Sequence, residues 1–244
     1  MKLTVLGCGD AFGSGGRHNT SFSISNEAGE YVLIDCGATT LMRLKQEGIS
    51  LNDVSTIVIT HFHGDHYGGI PFLLISALFE EPRDEHLTIV GPKDIEERVL
   101  ALQEAMYPGT TEKFSNLKLT FVEFSIANAS EVNELMIEAY EVDHSPQSNP
   151  HGVRVTWDGK IFAFSGDTAM TDTLYEIAKG ADLFVCECNF LEGVNFGHLS
   201  YEELKEIAGK LDCKQVWLSH MNDEVIRSNK VELNKLSDGL KVHF

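Results

Sequence analysis

Long apolar runs are missing from this sequence. No stretch of eighteen consecutive apolar residues occurs among the 244 residues, and a helix needs about that length to cross the hydrocarbon core of a bilayer. The opening MKLTVLGCGDAFGSGG also differs from a secretory signal, because its apolar stretch is short and passes at once into glycine and polar residues. The sequence therefore predicts a protein without a membrane span, and a cytoplasmic location is the expectation.

Cysteine is scarce and odd in number. The chain has five cysteines, and a domain of this size can build its own hydrophobic core, so a disulfide framework is not expected. Cys186 and Cys188 form a C-x-C pair, which is one way to bind a metal. The surrounding segment, DLFVCECNF, has the composition of a buried strand, where cysteine acts as a small hydrophobic residue. We predict two buried thiols there.

Basic residues are few. The 19 lysines and arginines stand against 37 aspartates and glutamates, which gives a formal net charge of −18. An acidic surface repels the phosphate backbone of nucleic acid, and the sequence has no basic patch that would offset the repulsion. Tight binding of long nucleic acid is therefore not expected, whereas bound metal ions would offset part of the charge locally.

Linkers, low-complexity segments and internal repeats are absent, so we predict a single domain over residues 1–244. Strand-like and helical segments alternate along the chain, and strands precede helices in both halves. This order predicts a mixed α/β fold with two sheets.

Three local signals predict particular elements. Residues 67–79 are apolar enough to form one buried helix. Ser200 and Glu203 form a capping box, which predicts a helix over residues 201–211. In W-D-G-K, the Asp158-Gly159 pair predicts a tight hairpin turn between two strands.

One segment, THFHGDH, carries most of the chemistry. His61 and His63 lie two residues apart after an apolar strand, so an extended backbone points both imidazoles the same way, towards one metal ion. Gly64 permits a tight turn, and Asp65 and His66 then point towards a second ion. Zinc is the metal expected for imidazole and carboxylate ligands, with manganese and iron as alternatives. A surface loop of histidines is a poor alternative directly after an apolar strand.

Three further candidate ligands share a kind of position. His144 ends the strand before S-P-Q, Asp167 ends KIFAFSGD, and His220 ends KQVWLSH. Each has an ordinary explanation by itself, such as a turn aspartate or a hydrogen-bonded histidine. Because loops at strand ends carry functional residues on rigid supports, the shared placement makes all three candidates for the metal site.

The combined pattern resembles the metallo-β-lactamase superfamily, and the resemblance covers nearly the whole chain. It implies a four-layer αββα sandwich and two divalent metal ions. It also implies a division of the ligands. His61, His63 and His144 would hold one ion, Asp65, His66 and His220 would hold the other, and Asp167 would bridge them.

Three segments are similar to the ribonuclease Z and phosphodiesterase branch: LGCGDAFGSGG, DLFVCECNF and NFGHLSYEEL. This similarity implies catalytic roles for Asp65, His198 and Glu187. Asp65 would orient the nucleophile as well as bind metal. His198 would protonate the leaving alkoxide or stabilise the transition state, with Glu187 fixing its tautomer; the alternative is that His198 only packs in its loop.

The chain departs from ribonuclease Z in one respect. That enzyme holds transfer RNA with a long arm between the positions of His144 and Asp167, where this sequence has only 22 residues. We therefore predict a phosphodiesterase for a small substrate, such as a cyclic nucleotide or cyclic sugar phosphate, that uses a metal-bridging hydroxide. The alternatives are another hydrolase (thioesterase, lactonase, lactamase or arylsulfatase), an RNA-processing endonuclease, or a metal-bound scaffold.

Two further expectations concern the surroundings of the site. The glycine-rich loop at residues 13–16, with Arg17 and His18, would line the substrate pocket, although a plain flexible turn explains it equally well. The resemblance also implies a homodimer.

Overall fold

The computed structural model describes residues 1–125 and 129–244. The elements of the described chain are numbered in order. The strands are β1 (Lys2–Gly7), β2 (Ser21–Ser25), β3 (Tyr31–Ile34), β4 (Val54–Val58), β5 (Leu87–Gly91), β6 (Leu119–Glu123), β7 (Ser130–Val132), β8 (Leu135–Glu141), β9 (His151–Trp157), β10 (Lys160–Phe164), β11 (Leu183–Glu187), β12 (Val216–Ser219), β13 (Asn234–Lys235) and β14 (Lys241–His243). The helices are α1 (Thr40–Glu47), α2 (Gly64–Tyr67), α3 (Ile70–Phe79), α4 (Ile95–Met106), α5 (Thr173–Ala178), α6 (Tyr201–Ala208) and α7 (Asp223–Arg227).

The described strands form two sheets of similar design. The first sheet has the order β14-β1-β2-β3-β4-β5-β6 and the second the order β13-β12-β11-β10-β9-β8-β7. In the first sheet β3 to β6 run parallel, and in the second β10 to β13 run parallel, while the remaining pairs are antiparallel. Parallel neighbours end at the same edge of a sheet, so each sheet collects several carboxyl-terminal strand ends on one side.

Three apolar clusters hold the layers together. The central cluster joins the inner faces of the two sheets, where the rings of Phe22 and Phe164 meet edge to face at 5.1 Å. A second cluster packs α3, through residues such as Leu73, on the outer face of the first sheet. A third packs α6, through residues such as Leu204, on the outer face of the second. The predicted two-sheet α/β fold, a four-layer αββα sandwich, is confirmed.

The predicted buried helix over residues 67–79 forms as α3, but it begins three residues later than predicted, at Ile70. The chain forms α2 and then α3, and the break falls at Gly68 and Gly69. A Cβ atom on Gly69 would lie 2.1 Å from the carbonyl oxygen of Gly37. The backbone passes too close to a neighbouring segment for any side chain there, and this close approach interrupts the apolar run.

The other local signals are confirmed. Ser200 accepts a hydrogen bond from the backbone N–H of Glu203, whose side chain reaches back to the cap, and α6 begins there as predicted but ends three residues early. Asp158 and Gly159 both have positive φ angles, as a tight hairpin turn between β9 and β10 requires. Cys186 and Cys188 are free thiols and fully buried. Over residues 1–125 and 129–244, no helix is both long enough and apolar enough to cross a membrane.

Candidate metal centre

The predicted ligands lie at one edge of the sandwich, just beyond strand ends. β4 ends at Val58, two residues before Thr60, the first residue of the THFHGDH segment. His144 follows the end of β8 by three residues, Asp167 follows the end of β10 by three, and His220 follows β12 directly. Short loops on rigid strands thus deliver each side chain to the site.

The structure brings all seven predicted ligand side chains together in two groups that share one carboxylate. In each group the candidate ligand atoms lie within 4.8 Å of one another. The first group consists of His61, His63, His144 and Asp167, and the second of Asp65, His66, Asp167 and His220. This division matches the one that the resemblance implies. Whether the side chains bind metal stays a prediction.

Asp167 lies at the centre of the arrangement and is almost fully buried. Its Oδ2 atom lies 3.2 Å from Nε2 of His220 and 3.3 Å from Nε2 of His66. The same oxygen lies 3.8 Å from Nε2 of His61 and 3.9 Å from Nε2 of His144. A single carboxylate therefore reaches both groups, as a bridging ligand must.

Asp35 orients two of the rings from behind. Its buried carboxylate accepts hydrogen bonds from the Thr60 hydroxyl at 2.9 Å and the Thr60 backbone N–H at 2.7 Å, and it lies 2.6 Å from Nδ1 of His66. Because the Thr60 hydroxyl donates to Asp35, its oxygen is free to accept from Nδ1 of His61 at 3.0 Å. Both rings thus point Nδ1 at an acceptor and Nε2 towards the centre.

His144 is oriented in the same way. Its Nδ1 lies 2.6 Å from the carbonyl oxygen of Gly197, so its Nε2 lone pair also faces inward. Among the described residues, the buried atoms Nε2 of His61, Nε2 of His66 and Oδ1 of Asp167 have no hydrogen-bond partner. Buried polar atoms rarely go unpaired because the loss of solvation is costly. Inward lone pairs and a shared carboxylate fit a divalent metal site.

The charges of the site follow from burial and from Asp167. Burial lowers the pKa of His144 to about 4, which keeps that ring neutral and ready to bind a cation. Burial also acts to lower the pKa of His220, but the charge on Asp167 and a hydrogen bond with Asp65 raise it to about 9. A metal ion at the second group must therefore displace a proton from His220, so that its binding strengthens as the pH rises.

His198 lies against His144 of the first group and His220 of the second, and it is held by Glu187. The buried carboxylate of Glu187 lies 2.9 Å from Nδ1 of His198 and accepts backbone N–H groups from Thr168 at 2.7 Å and Asn189 at 3.3 Å. The His198 ring stacks on His220, with 5.3 Å between ring centroids and an angle of 15°. The predicted pairing of Glu187 with His198 is therefore present, and it leaves Nε2 of His198 as the nitrogen that is free for a substrate.

Sequence reasoning missed Asp35, Gly197 and Asn189. Asp35 directly follows β3, so the criterion of a polar residue at a strand end would have found it. Asn189 donates a hydrogen bond to the carbonyl oxygen of His220 at 2.9 Å and steadies that residue in the left-handed conformation, at φ 53°. Gly197 contributes a backbone carbonyl, which no side-chain pattern reveals.

The glycine-rich loop is fixed by contacts outside the two ligand groups. Arg17 donates to Sγ of Cys8, and Nδ1 of His18 lies 2.7 Å from the carboxylate of Asp238. The backbone N–H of Gly15 donates to Asp223 at 2.9 Å. These contacts hold the loop in its conformation, and its role in lining a substrate pocket stays a prediction.

Comparison with known proteins places this geometry in a family. The family model described as "Anti-Pycsar protein Apyc1" matches residues 1–236. Ribonuclease Z of Clostridium acetobutylicum is 25% identical, over 94% of this chain and 91% of its own length. YhfI of Bacillus subtilis, a metallo-β-lactamase fold protein, has a TM-score of 0.80 at 20% identity over 99% of each chain. The short form of human tRNase Z has a TM-score of 0.78 at 20% identity, over 100% of this chain and 99% of its own. The predicted resemblance is confirmed.

The predicted absence of an arm between His144 and Asp167 agrees with the fold of that segment. The alignment with the clostridial ribonuclease runs over 283 positions, although this chain has 244 residues, so the relative has segments without a counterpart here. Between His144 and Asp167 every residue is described, and the chain forms one turn of 3₁₀ helix, β9, the hairpin turn and β10. No arm extends from this part of the molecule.

Proposed function

From the premise that this chain belongs to the family of the Anti-Pycsar protein Apyc1, we propose that it hydrolyses a small phosphodiester. The broader class follows from the relatives: the chain is a metal-dependent hydrolase of the metallo-β-lactamase fold. The substrate, the number of metal ions and their identity are the proposed parts.

The observation that carries the proposal is the shared carboxylate of Asp167 between two groups of inward-facing imidazoles. Two divalent ions held there, zinc by the chemistry of the donors, would supply Lewis acidity and an activated water for in-line displacement at phosphorus. His61, His63 and His144 would hold one ion with Asp167. Asp65, His66 and His220 would hold the second with the same aspartate.

Asp65 is suited to orient the nucleophile. Its Oδ2 atom lies 3.4 Å from Nε2 of His66 and 3.3 Å from Nε2 of His220. Its Oδ1 atom has no hydrogen bond to a described side chain, so it can accept one from an attacking water. The carboxylate would thereby hold the water in line with the bond that breaks.

His198 is suited to protonate the leaving group. Burial acts to lower its pKa, but the hydrogen bond and charge of Glu187 raise it above the ordinary value, which favours the protonated ring that a general acid requires. Because Nδ1 faces Glu187, the transferable proton is on Nε2. We propose that His198 donates this proton to the leaving alkoxide, and general acid catalysis of this kind contributes about 10²–10⁴-fold.

A small substrate is favoured over a long nucleic acid for two reasons. The chain has a net charge of −18, which repels a phosphate backbone. The segment between His144 and Asp167 offers no arm for an extended partner. A cyclic nucleotide or a cyclic sugar phosphate satisfies both conditions.

The test is hydrolysis of bis(p-nitrophenyl) phosphate by protein loaded with zinc or manganese. We expect clear turnover that a chelator abolishes. His198→Ala should retain its metal, lose about 10²-fold or more on a substrate with an alkoxide leaving group, and lose much less on a p-nitrophenolate leaving group, which needs little protonation. Turnover of a thioester or lactam, with none of the phosphodiester, would remove the proposal in favour of another hydrolase.

RNA processing is the second candidate, because a ribonuclease Z is 25% identical over most of the chain. A gel shift and a cleavage assay with a transfer RNA precursor test it, and salt-sensitive binding with cleavage would favour it. Elemental analysis with less than one metal per chain would instead indicate a scaffold. The single domain and the homodimer stay predictions, which limited proteolysis and sedimentation would test.

A further inference from the structure

Three apolar side chains face water far more fully than the other large apolar side chains of the described residues. Phe12, Val194 and Phe196 are 89%, 88% and 86% exposed, and the next is Phe79 at 56%. Side chains exposed to this degree contribute little to the hydrophobic core. Two of the three are aromatic, and each lies on a loop whose backbone is hydrogen-bonded to a candidate ligand residue.

Phe196 lies in the loop between β11 and α6, beside the first ligand group. The next residue, Gly197, accepts the hydrogen bond of His144 through its carbonyl oxygen at 2.6 Å, and His198 follows directly. Gly197 has a positive φ of 73°, and a Cβ atom there would lie 2.8 Å from Nδ1 of His144. The backbone that carries Phe196 is therefore packed directly on a candidate ligand, while its ring faces solvent.

Phe12 lies in the loop between β1 and β2 and is held rigidly. The buried carboxylate of Asp10 accepts the backbone N–H of Phe12 at 3.1 Å, the backbone N–H of Ser14 at 3.0 Å and the Ser14 hydroxyl at 2.6 Å. At the start of the loop, the carbonyl oxygen of Cys8 accepts the backbone N–H of His220 at 3.1 Å. The loop that carries Phe12 thus contacts a residue of the second ligand group at its first residue, Cys8.

We propose that Phe12 and Phe196 form an aromatic rim that stacks on a flat ring carried by the substrate. The inference rests on the proposed phosphodiesterase function and adds a determinant of its specificity. Stacking on an aromatic side chain is strong and tolerates different rings. Stacking adds affinity for the substrate without positively charged side chains, and these are few in this acidic protein. Between the two substrate classes, the rim favours a phosphodiester with a nucleobase over a sugar phosphate without one.

The test compares two substrates that differ only in the ring: a nucleoside 3′,5′-cyclic phosphate and the 1-O-methylribose analogue that lacks the base. Phe12→Ala and Phe196→Ala should each raise KM for the ring-bearing substrate about tenfold, with kcat little changed. Both constants for the analogue should stay unchanged. Phe79→Ala, which removes an exposed phenylalanine from the end of α3, is the matched control and should change neither substrate.

Two further variants separate stacking from simple apolar contact. Phe196→Trp should keep the low KM for the ring-bearing substrate, because it retains an aromatic face. Phe196→Leu should raise KM nearly as much as Phe196→Ala. Melting temperature and metal content should match the unaltered protein in every variant, since both side chains are almost fully exposed.

Binding measurements keep this inference separate from the proposed function. Calorimetry with a nucleoside monophosphate and with ribose 5-phosphate should show tighter binding of the first, and the preference should shrink in both alanine variants, whether or not the protein hydrolyses phosphodiesters. If the alanine variants lose equal affinity for ring-bearing and ring-free ligands, the proposed aromatic rim is wrong. It is also wrong if the affinities are unchanged and the oligomeric mass changes, which would assign the phenylalanines to an interface between copies of this chain.

Discussion

Both ends of the sandwich contain buried polar groups, but the hydrogen-bond partners of these groups differ between the two ends. Opposite the metal centre, where β3, β4, β5 and β8 begin, lies a cavity of about 510 Å³. One of its walls is the buried Arg83, which donates to the backbone carbonyl oxygens of Leu51, Val54 and His86. Only its Nε atom lacks a partner among the described residues.

The turn between β7 and β8 forms another wall of that cavity. The amide of Asn133 donates to the hydroxyls of Thr56 and Thr88, each at 3.1 Å, and so links the two sheets. At the metal centre, by contrast, imidazole nitrogens and carboxylate oxygens of seven residues face one another. The two ends therefore differ in how their buried polar atoms are paired. Buried donors paired with carbonyl oxygens stabilise a fold, whereas convergent ligand atoms without hydrogen-bond partners are the arrangement that a cation site requires.

The largest effect should come from Asp167→Ala. The change removes the carboxylate that both ligand groups share, so we expect turnover to fall by more than about a hundredfold, beyond the usual effect of losing a residue that only supports a ligand. Elemental analysis should show fewer metal ions per chain. Asp143→Ala removes the same charge from an exposed position beside His144 and should retain metal and activity. If the Asp167→Ala variant keeps two metal ions per chain and half of its activity, Asp167 is not the shared metal ligand.

Glu187→Gln should lower kcat by about ten- to a hundredfold on a substrate with an alkoxide leaving group. Burial acts to lower the pKa of His198, and Glu187 raises it above the ordinary value. Without that charge His198 loses its proton at lower pH, so the basic limb of the pH–rate profile should move to lower pH. An unshifted limb would mean that His198 is not the acid. Metal content serves as the control and should not change.

Asp35→Asn should weaken metal binding more than it slows the chemical step. The asparagine amide has the shape of the Asp35 carboxylate but lacks its negative charge behind His66. Residues that support a metal ligand in this way affect metal affinity by about ten- to a hundredfold. Competition with a chelator measures the loss, and excess metal should restore most of the turnover. If affinity is unchanged, the polar network behind the rings only stabilises the fold.

Arg83→Met should leave turnover unchanged and lower stability. Three carbonyl oxygens lose a donor in a buried region, which we expect to lower the free energy of unfolding by about 1–3 kcal/mol. Urea denaturation measures this change, and activity should be assayed at a temperature where the variant is fully folded. A tenfold loss of activity in the folded variant would show that this end of the molecule affects the site.

The sequence predicted which side chains converge at the candidate metal centre most directly where the signal was local. In THFHGDH the residue types, their spacing and the preceding apolar strand lie within one short segment, so chemistry and placement could be inferred together. The strand-end criterion likewise indicated His144, Asp167 and His220. It also applied to Asp35, which was overlooked because a single aspartate after a strand has many ordinary explanations.

Other features depended on contacts that no local pattern contains. The break between α2 and α3 follows from the close approach of Gly69 to Gly37. The carbonyl oxygen of Gly197 is an unmodified backbone group that becomes significant only because His144 lies against it. The exposure of Phe12 and Phe196 was equally unpredictable, since apolar residues near strand ends are more often buried.

By itself, the sequence determined the alternation of apolar residues that defines the strands and the donor types placed at their ends. Only the tertiary structure decided which ends meet. His61 and Asp167 follow strands of different sheets, and they come together because each sheet buries its apolar inner face against the other. That packing is a property of the whole chain, since hydrophobic burial is non-directional and the identity of a side chain does not specify its distant neighbours.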